Sequence, residues 1–378
     1  MFDFPMTKES LGTALFCLAV YLFMLIRNYK YALKYPLSTI PPKNKKLIDT
    51  IFVGIIFIIF CQNGDFFHMM EAVHGYDFIP GAYNYGEEVY IEIGKFTNKN
   101  YLLFRTIIWG GAFTLFCLTA KRFKIPTYYA ALFIFCSYII LFTYARATLA
   151  MAVYFYGLSF LCKPIKSHKW ISFIIGVIII CTSKVFHNSA IIMIIATILL
   201  LIPLKKWSII LTLISIPLIT IIARNQFYTI TEYALEADSD IGKRMEYYSQ
   251  KEAGASGIAQ LILNSLKYAS FYIPLFITSI TILPKKNLKE IPQYITRMYK
   301  ITFGIILLAS VFYLLGDNFY TMFYRILFMA MIPLTIIVVA LYRNNFMTRK
   351  HFKWCYMPGL LFSSLNIIYM VYCMFTLL

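Results

Sequence analysis

Long apolar blocks broken by short polar segments run the whole length of this chain. A bilayer crossing needs about 17 to 25 mostly apolar residues. On that criterion twelve spans are predicted, near 10–26, 47–62, 101–120, 127–144, 147–162, 170–184, 186–203, 207–223, 258–283, 300–316, 319–341 and 354–377. Several blocks are short, which leaves their boundaries loose. No linker divides the chain, and no internal repeat or low-complexity tract interrupts it. The pattern predicts an all-α, polytopic integral membrane protein of about 12 transmembrane helices. It forms a single transmembrane domain, 1–378, with outward-facing loops near 62–100 and 224–257.

The polar segments alternate in charge. Arg27 to Lys46, Lys121 to Lys124, Lys163 to Lys169, Lys205 to Lys206, Lys285 to Lys300 and Arg343 to Lys353 hold 23 of the 35 Lys and Arg against one carboxylate, Glu290. Lys and Arg concentrate in cytoplasmic loops, which assigns these six segments to the cytoplasm. The acidic or mixed segments then face outward, together with both termini: Gln62 to Asn100, the turn at Arg146, Lys184 to His187, Arg224 to Gly257, and Gly316 to Asn318.

Composition supports the membrane reading and excludes other classes. At 60% hydrophobic and 14% charged, the chain carries more apolar surface than a soluble fold encloses. Its net charge of +18 lies in short clusters between spans, a topology signal that gives no expectation of a nucleic-acid partner. The eight cysteines, Cys17, Cys61, Cys117, Cys136, Cys162, Cys181, Cys355 and Cys373, show no Cys-x-x-Cys spacing, so neither a zinc site nor a disulfide framework is expected. The first apolar run, Leu11 to Ile26, has no basic n-region or Ala-x-Ala site and reads as a retained span.

Ionisable side chains at the rim of a span are costly to keep in hydrocarbon and tend to face a cavity. Here they share the outer side. Asp65 closes the second span, Arg105 opens the third, Arg146 sits between the fourth and fifth, Lys184 and His187 lie between the sixth and seventh, and Asp317 and Arg325 bracket the tenth and eleventh. Arginine offers a planar fork of donors suited to a phosphate or diphosphate, whereas its bland role is a snorkelling side chain or an internal ion pair. His187 is a candidate general base or a donor to phosphate; a histidine at a span end is otherwise simply hydrogen-bonded. Arg325 lies about 9 Å inside its span at 1.5 Å rise per residue, with Asp317 as a candidate partner.

The run from Asp65 to Glu92 adds six carboxylates, Asp65, Glu71, Asp77, Glu87, Glu88 and Glu92. Asp65 and the Glu87/Glu88 pair are candidates for sugar binding or for deprotonating an acceptor hydroxyl, while Glu71, Asp77 and Glu92 read as solvated loop surface. His68 and His74 with Asp65 and Asp77 have no metal-specific spacing, and no metal site is assigned. Tyr76, Tyr83, Tyr85 and Tyr90 offer rings for stacking on sugars, although tyrosine is enriched at any membrane interface.

In the segments "NGDFFHM", "EEVYIEIGKF", "YARATLAMAVYF", "FHNSAIIM" and "YRILF", the chain resembles the EpsG family of Wzy-type polysaccharide polymerases from about the second span to the eleventh. The order and shared membrane face of these short motifs are more specific than any one alone. The glutamate segment departs from the family's Glu-Pro-Gly type, which leaves Glu87 and Glu88 both open as the counterpart. The resemblance implies a GT-C-like membrane glycosyltransferase at the outer face of the bacterial cytoplasmic membrane. Such an enzyme joins oligosaccharide repeat units carried on undecaprenyl diphosphate, with membrane lipids and a chain-length regulator as partners and no cofactor. It implies diphosphate-binding roles for Arg146, Arg325, Lys184 and Arg105, acceptor-side roles for His187, Asp65, Glu87 and Glu88, and substrate contacts from Asp317, Tyr85 and Tyr90. A glycolipid exporter or flippase would use the same arginines but would line both halves of a channel with polar residues. A membrane O-acyltransferase would need a histidine deep in the membrane.

Overall fold

Backbone polar groups in hydrocarbon must be satisfied within the chain, and a helix does this segment by segment. The computed structural model describes residues 88–125, 145–163, 167–201, 258–283, 290–314 and 326–377, with isolated positions at 19, 22, 23, 26, 47, 50, 51, 54, 55 and 210. Every regular element among the described residues is helical. In chain order these are α1 (Glu88–Phe96), α2 (Tyr101–Arg122), α3 (Ala145–Cys162), α4 (Lys169–Phe186), α5 (Ala190–Thr197, continued by a 3-10 turn at Ile198–Leu200), α6 (Ile258–Ile282), α7 (Gln293–Leu314), α8 (Met331–Arg343) and α9 (Arg349–Leu377).

The described parts of the predicted spans near 101–120, 147–162, 170–184, 186–203, 258–283, 300–316, 319–341 and 354–377 are helical over most of their length, whereas the span near 127–144 lies outside the described residues and those near 10–26, 47–62 and 207–223 are described only at isolated positions. By length and composition, Leu102–Arg122, Lys169–Phe186 and Ile326–Arg343 are long and apolar enough to cross a membrane. Two boundaries differ from expectation. α7 begins at Gln293, well before the predicted 300, because the helix continues through Arg297 and Lys300, whose charges end an apolar run without ending a helix. The block predicted from 186 starts at Ala190, because His187 takes an extended conformation between α4 and α5.

Packing orders the helices by how much apolar surface each leaves outside. α8 is buried at every position from Met331 to Leu341, as expected of a helix that is hydrophobic all round. α4 is peripheral: Ser172, Gly176, Ile180 and Ser183 form its buried stripe, while Trp170, Phe173, Ile174, Ile178 and Val185 are exposed. That outer face suits lipid. The inner stripe is small because α3 approaches closely. A Cβ at Gly157 would lie 2.9 Å from the Ile180 nitrogen and 3.0 Å from the Gly176 oxygen, both backbone atoms of α4. Small residues permit such backbone approach between membrane helices. Polar links join other pairs: the Tyr154 hydroxyl of α3 donates to the Met193 carbonyl of α5 at 2.7 Å, and the Tyr272 and Ser310 hydroxyls of α6 and α7 meet at 3.0 Å.

Hydrogen bonds at the helix ends set the directions. The Arg122 guanidinium donates to the Lys163 carbonyl at 3.0 Å and the Lys163 ammonium to the Arg122 carbonyl at 2.6 Å, so α2 and α3 end side by side. Arg297, near the start of α7, donates to the Leu161 and Cys162 carbonyls at 3.0 and 3.3 Å. The start of α7 therefore meets the ends of α2 and α3. α4 returns antiparallel to α3, which carries its C-terminal end to the opposite side, where α2 and α3 begin.

Candidate functional site

The side where α2 and α3 begin and α4 ends gathers the predicted chemistry. α1 caps it. Tyr90 of α1 donates its hydroxyl to the Phe186 carbonyl at 3.0 Å, satisfying one of the carbonyls that the end of α4 leaves without an intrahelical partner. The next residue is His187. Tyr90 is 2% exposed, so its ring packs against the core and presents no open face for stacking on a sugar. The arrangement ties the acidic segment before α2 to the histidine turn, 96 residues apart in sequence.

His187 is half-buried and extended, with φ −166° and ψ 133°. The Ser189 backbone N–H donates to His187 Nδ1 at 3.1 Å, and the Ser189 hydroxyl also contacts Nδ1. A backbone N–H can only donate, so Nδ1 is an acceptor here. A neutral imidazole whose Nδ1 accepts carries its proton on Nε2. In that tautomer Nε2–H is able to donate a hydrogen bond. The same contact closes the turn that leads from α4 into α5, a structural role that the histidine fills alongside any chemical one.

Arg105 lies one turn into α2 and is buried at 5% exposure, with its guanidinium carbon 5.8 Å from the centre of the Trp109 ring. Asn100 starts that helix, its side chain accepting the Leu103 N–H at 3.1 Å. Trp109 is buried, and its indole N–H makes no hydrogen bond among the described residues. Arg146 stands in the first turn of α3, at the same end of the bundle. Lys184 is exposed in the last turn of α4, where a cation complements the helix dipole. Glu88 is exposed at the first position of α1, where a carboxylate is likewise favourable. Glu92 pairs with Lys95 at 2.6 Å on the exposed face of α1.

The structure thus brings Arg105, Arg146, Lys184, His187, Glu88 and Tyr90 to one end of the bundle. α7 runs away from its contact with the end of α3, so Leu314 reaches this same end. Asp65, Tyr85, Glu87, Asp317 and Arg325 lie outside the described residues. Sequence reasoning missed Ser189, whose N–H donates to the imidazole Nδ1, and the bond from Tyr90 to Phe186. The His-Asn-Ser spacing was the available signal for the first, because a side-chain acceptor two residues before an N–H forms a local turn. Nothing local signals the second.

Helices long and apolar enough to cross a bilayer, with ionisable groups at their ends, define an integral membrane protein. Residues 74–378 match the EpsG family, and the chain belongs to it. The protein is therefore a membrane protein of the polysaccharide-polymerase type. No curated protein and no solved structure matches the chain.

Proposed function

We propose that this protein is a membrane glycosyltransferase that polymerises oligosaccharide repeat units carried on undecaprenyl diphosphate at the outer face of the bacterial cytoplasmic membrane. The observation that carries the reading is the position of Arg105 and Arg146 near the starts of α2 and α3 and of Lys184 and the His187 turn at the end of α4, at one end of an apolar bundle, within a chain of the EpsG family. Fixed cationic and N–H donors at a low-dielectric interface stabilise charge that develops on a leaving diphosphate. In the reaction, the bond between the donor sugar's anomeric carbon and the diphosphate oxygen breaks, and a bond from that carbon to an acceptor hydroxyl oxygen forms. The electron pair leaves on the diphosphate, which Arg146, Arg325, Lys184 and His187 Nε2–H receive. Asp65, Glu87 or Glu88 takes the acceptor proton. A lipid diphosphate is a good leaving group once neutralised, so these side chains suffice without an organic cofactor. A chain-length regulator protein is the expected partner of the growing glycan.

The test is polymer formation by the purified protein in vesicles containing lipid-diphosphate-linked repeat units. A ladder of glycans on one lipid is expected. Translocation of the unit without any increase in its length would replace polymerisation by export. Asp65→Asn, Glu87→Gln and Glu88→Gln identify the acceptor side. The base is the one whose loss lowers the rate by about 10² to 10⁴ while donor binding persists.

A further inference from the structure

At the opposite end of the bundle, about 27 Å away along the 18 residues of α4, five cations from four of the basic segments converge. Arg122 and Lys163 exchange hydrogen bonds with each other's carbonyls, and Arg297 donates to the carbonyls of Leu161 and Cys162. The Arg122 guanidinium lies 3.6 Å from the centre of the Phe160 ring, and its Nε is shielded from solvent with no hydrogen bond among the described residues. Burial, followed by repulsion from Lys124, Arg122 and Arg343, holds the Lys163 ammonium below the ordinary lysine value. Lys124 and Arg343 are therefore close enough to act on it, and neither side chain donates a hydrogen bond to a helix-end carbonyl among the described residues.

Three of these cations are held by hydrogen bonds to carbonyls, while Arg343, in the last turn of α8, and Lys124, just past the end of α2, meet the helix ends through charge alone. α2, α3 and α8 end here, and each helix C-terminus supplies roughly half a negative charge. Three such ends fall well short of five positive charges. No described carboxylate pairs with these groups, and the six basic segments of the sequence contain a single one, Glu290. Five cations held together without a carboxylate, four of them half-buried and Lys124 exposed, match the chemistry of a phosphate-bearing anion.

We infer that Arg122, Lys124, Lys163, Arg297 and Arg343 form a second anion site, remote from the His187 turn, that binds the phosphate of an anionic ligand. A phospholipid headgroup and a free phosphate present the same chemistry to it. The site is independent of the polymerisation reading, because none of its residues lies at the other end.

The experiment uses the full chain in phosphatidylcholine nanodiscs at constant ionic strength and reads the thermal unfolding midpoint. One arm replaces a third of the lipid by phosphatidylglycerol, and the other adds millimolar inorganic phosphate. The test variant is Lys124→Asn with Arg343→Gln. It leaves the capping cations in place, and asparagine tolerates the left-handed φ of 58° at position 124. A charge-matched control is Lys169→Gln with Lys353→Gln, both exposed and outside the cluster. A ligand bound by the folded state raises the midpoint. The expected result is a rise of about 2 to 4 °C in the wild type and the control that is lost in the test variant. A rise with phosphatidylglycerol identifies a headgroup site, and one with inorganic phosphate a soluble-phosphate site. Each single variant repeats the comparison should the pair not fold. No rise in the wild type in either arm, or an equal rise in the test variant, overturns the inference.

Discussion

His187 faces two demands that different substitutions separate. Its Nδ1 accepts the Ser189 N–H at 3.1 Å, and the proton left on Nε2 is the donor assigned to the diphosphate. Asparagine places a carbonyl oxygen near the Nδ1 position and forms the same turn with the residue two ahead, but its amide does not extend to the Nε2 position. Glutamine does the reverse: its amide nitrogen reaches the Nε2 position, and it closes the local turn less well. His187→Asn should therefore unfold within about 0.5 kcal/mol of the wild type while its rate falls by about 10² to 10³, the cost of deleting one preorganised donor to a developing oxyanion. His187→Gln should lose about 1 kcal/mol of stability, typical of one lost hydrogen bond, and keep its rate within about tenfold, which corresponds to 1.4 kcal/mol or so. The assays are polymer formation from lipid-linked units in vesicles and thermal unfolding of the same preparations. Full activity in His187→Asn with loss in His187→Gln would refute the donor assignment and leave closing the turn as the histidine's whole role.

The remaining predictions concern neighbouring residues and the bundle itself. Arg146→Lys and Arg325→Lys should each impair polymer formation at normal protein level, because a point charge cannot reproduce a bidentate contact; full-length polymer from both would leave these arginines a structural role. Tyr90→Phe removes the 3.0 Å bond to the Phe186 carbonyl and should cost about 1 kcal/mol of stability. Because the loosened segment carries His187, its polymerisation rate should fall further than its expression level, and an unchanged rate would argue against coupling between α1 and the histidine turn. Gly157→Ala drives a methyl group against backbone atoms of α4 at 2.9 and 3.0 Å that have no rotamer to yield. It should cost about 1 to 3 kcal/mol by overpacking. Gly111→Ala, where nothing lies within 4 Å, should be neutral or stabilising by up to about 1 kcal/mol.

Much of the architecture is a property of local composition, which is why it can be read along the chain. A block such as Lys169 to Phe186 must be helical in a membrane because no other backbone state satisfies its own polar groups there. The charge alternation likewise separates the Arg146 and His187 turns from the basic segments without any tertiary information. Charge within a helix misled the reading at Gln293 to Lys300, since an apolar window stops where α7 does not. What the sequence could not supply is any relation between distant segments. That Tyr90 bonds to Phe186 and that Arg122 and Lys163 close two helix ends together depend on distances of a few ångströms. Such distances are set by how helices pack, and the approach of α3 to α4 at Gly157 and Gly176 rests on two absent side chains. Hydropathy places a helix in the bilayer to within a turn or two, but it carries no information about azimuth. Azimuth decides that Tyr90 and Arg105 are buried while Lys184 and Glu88 are exposed, and it therefore decides which predicted residues pack within the fold and which face outward.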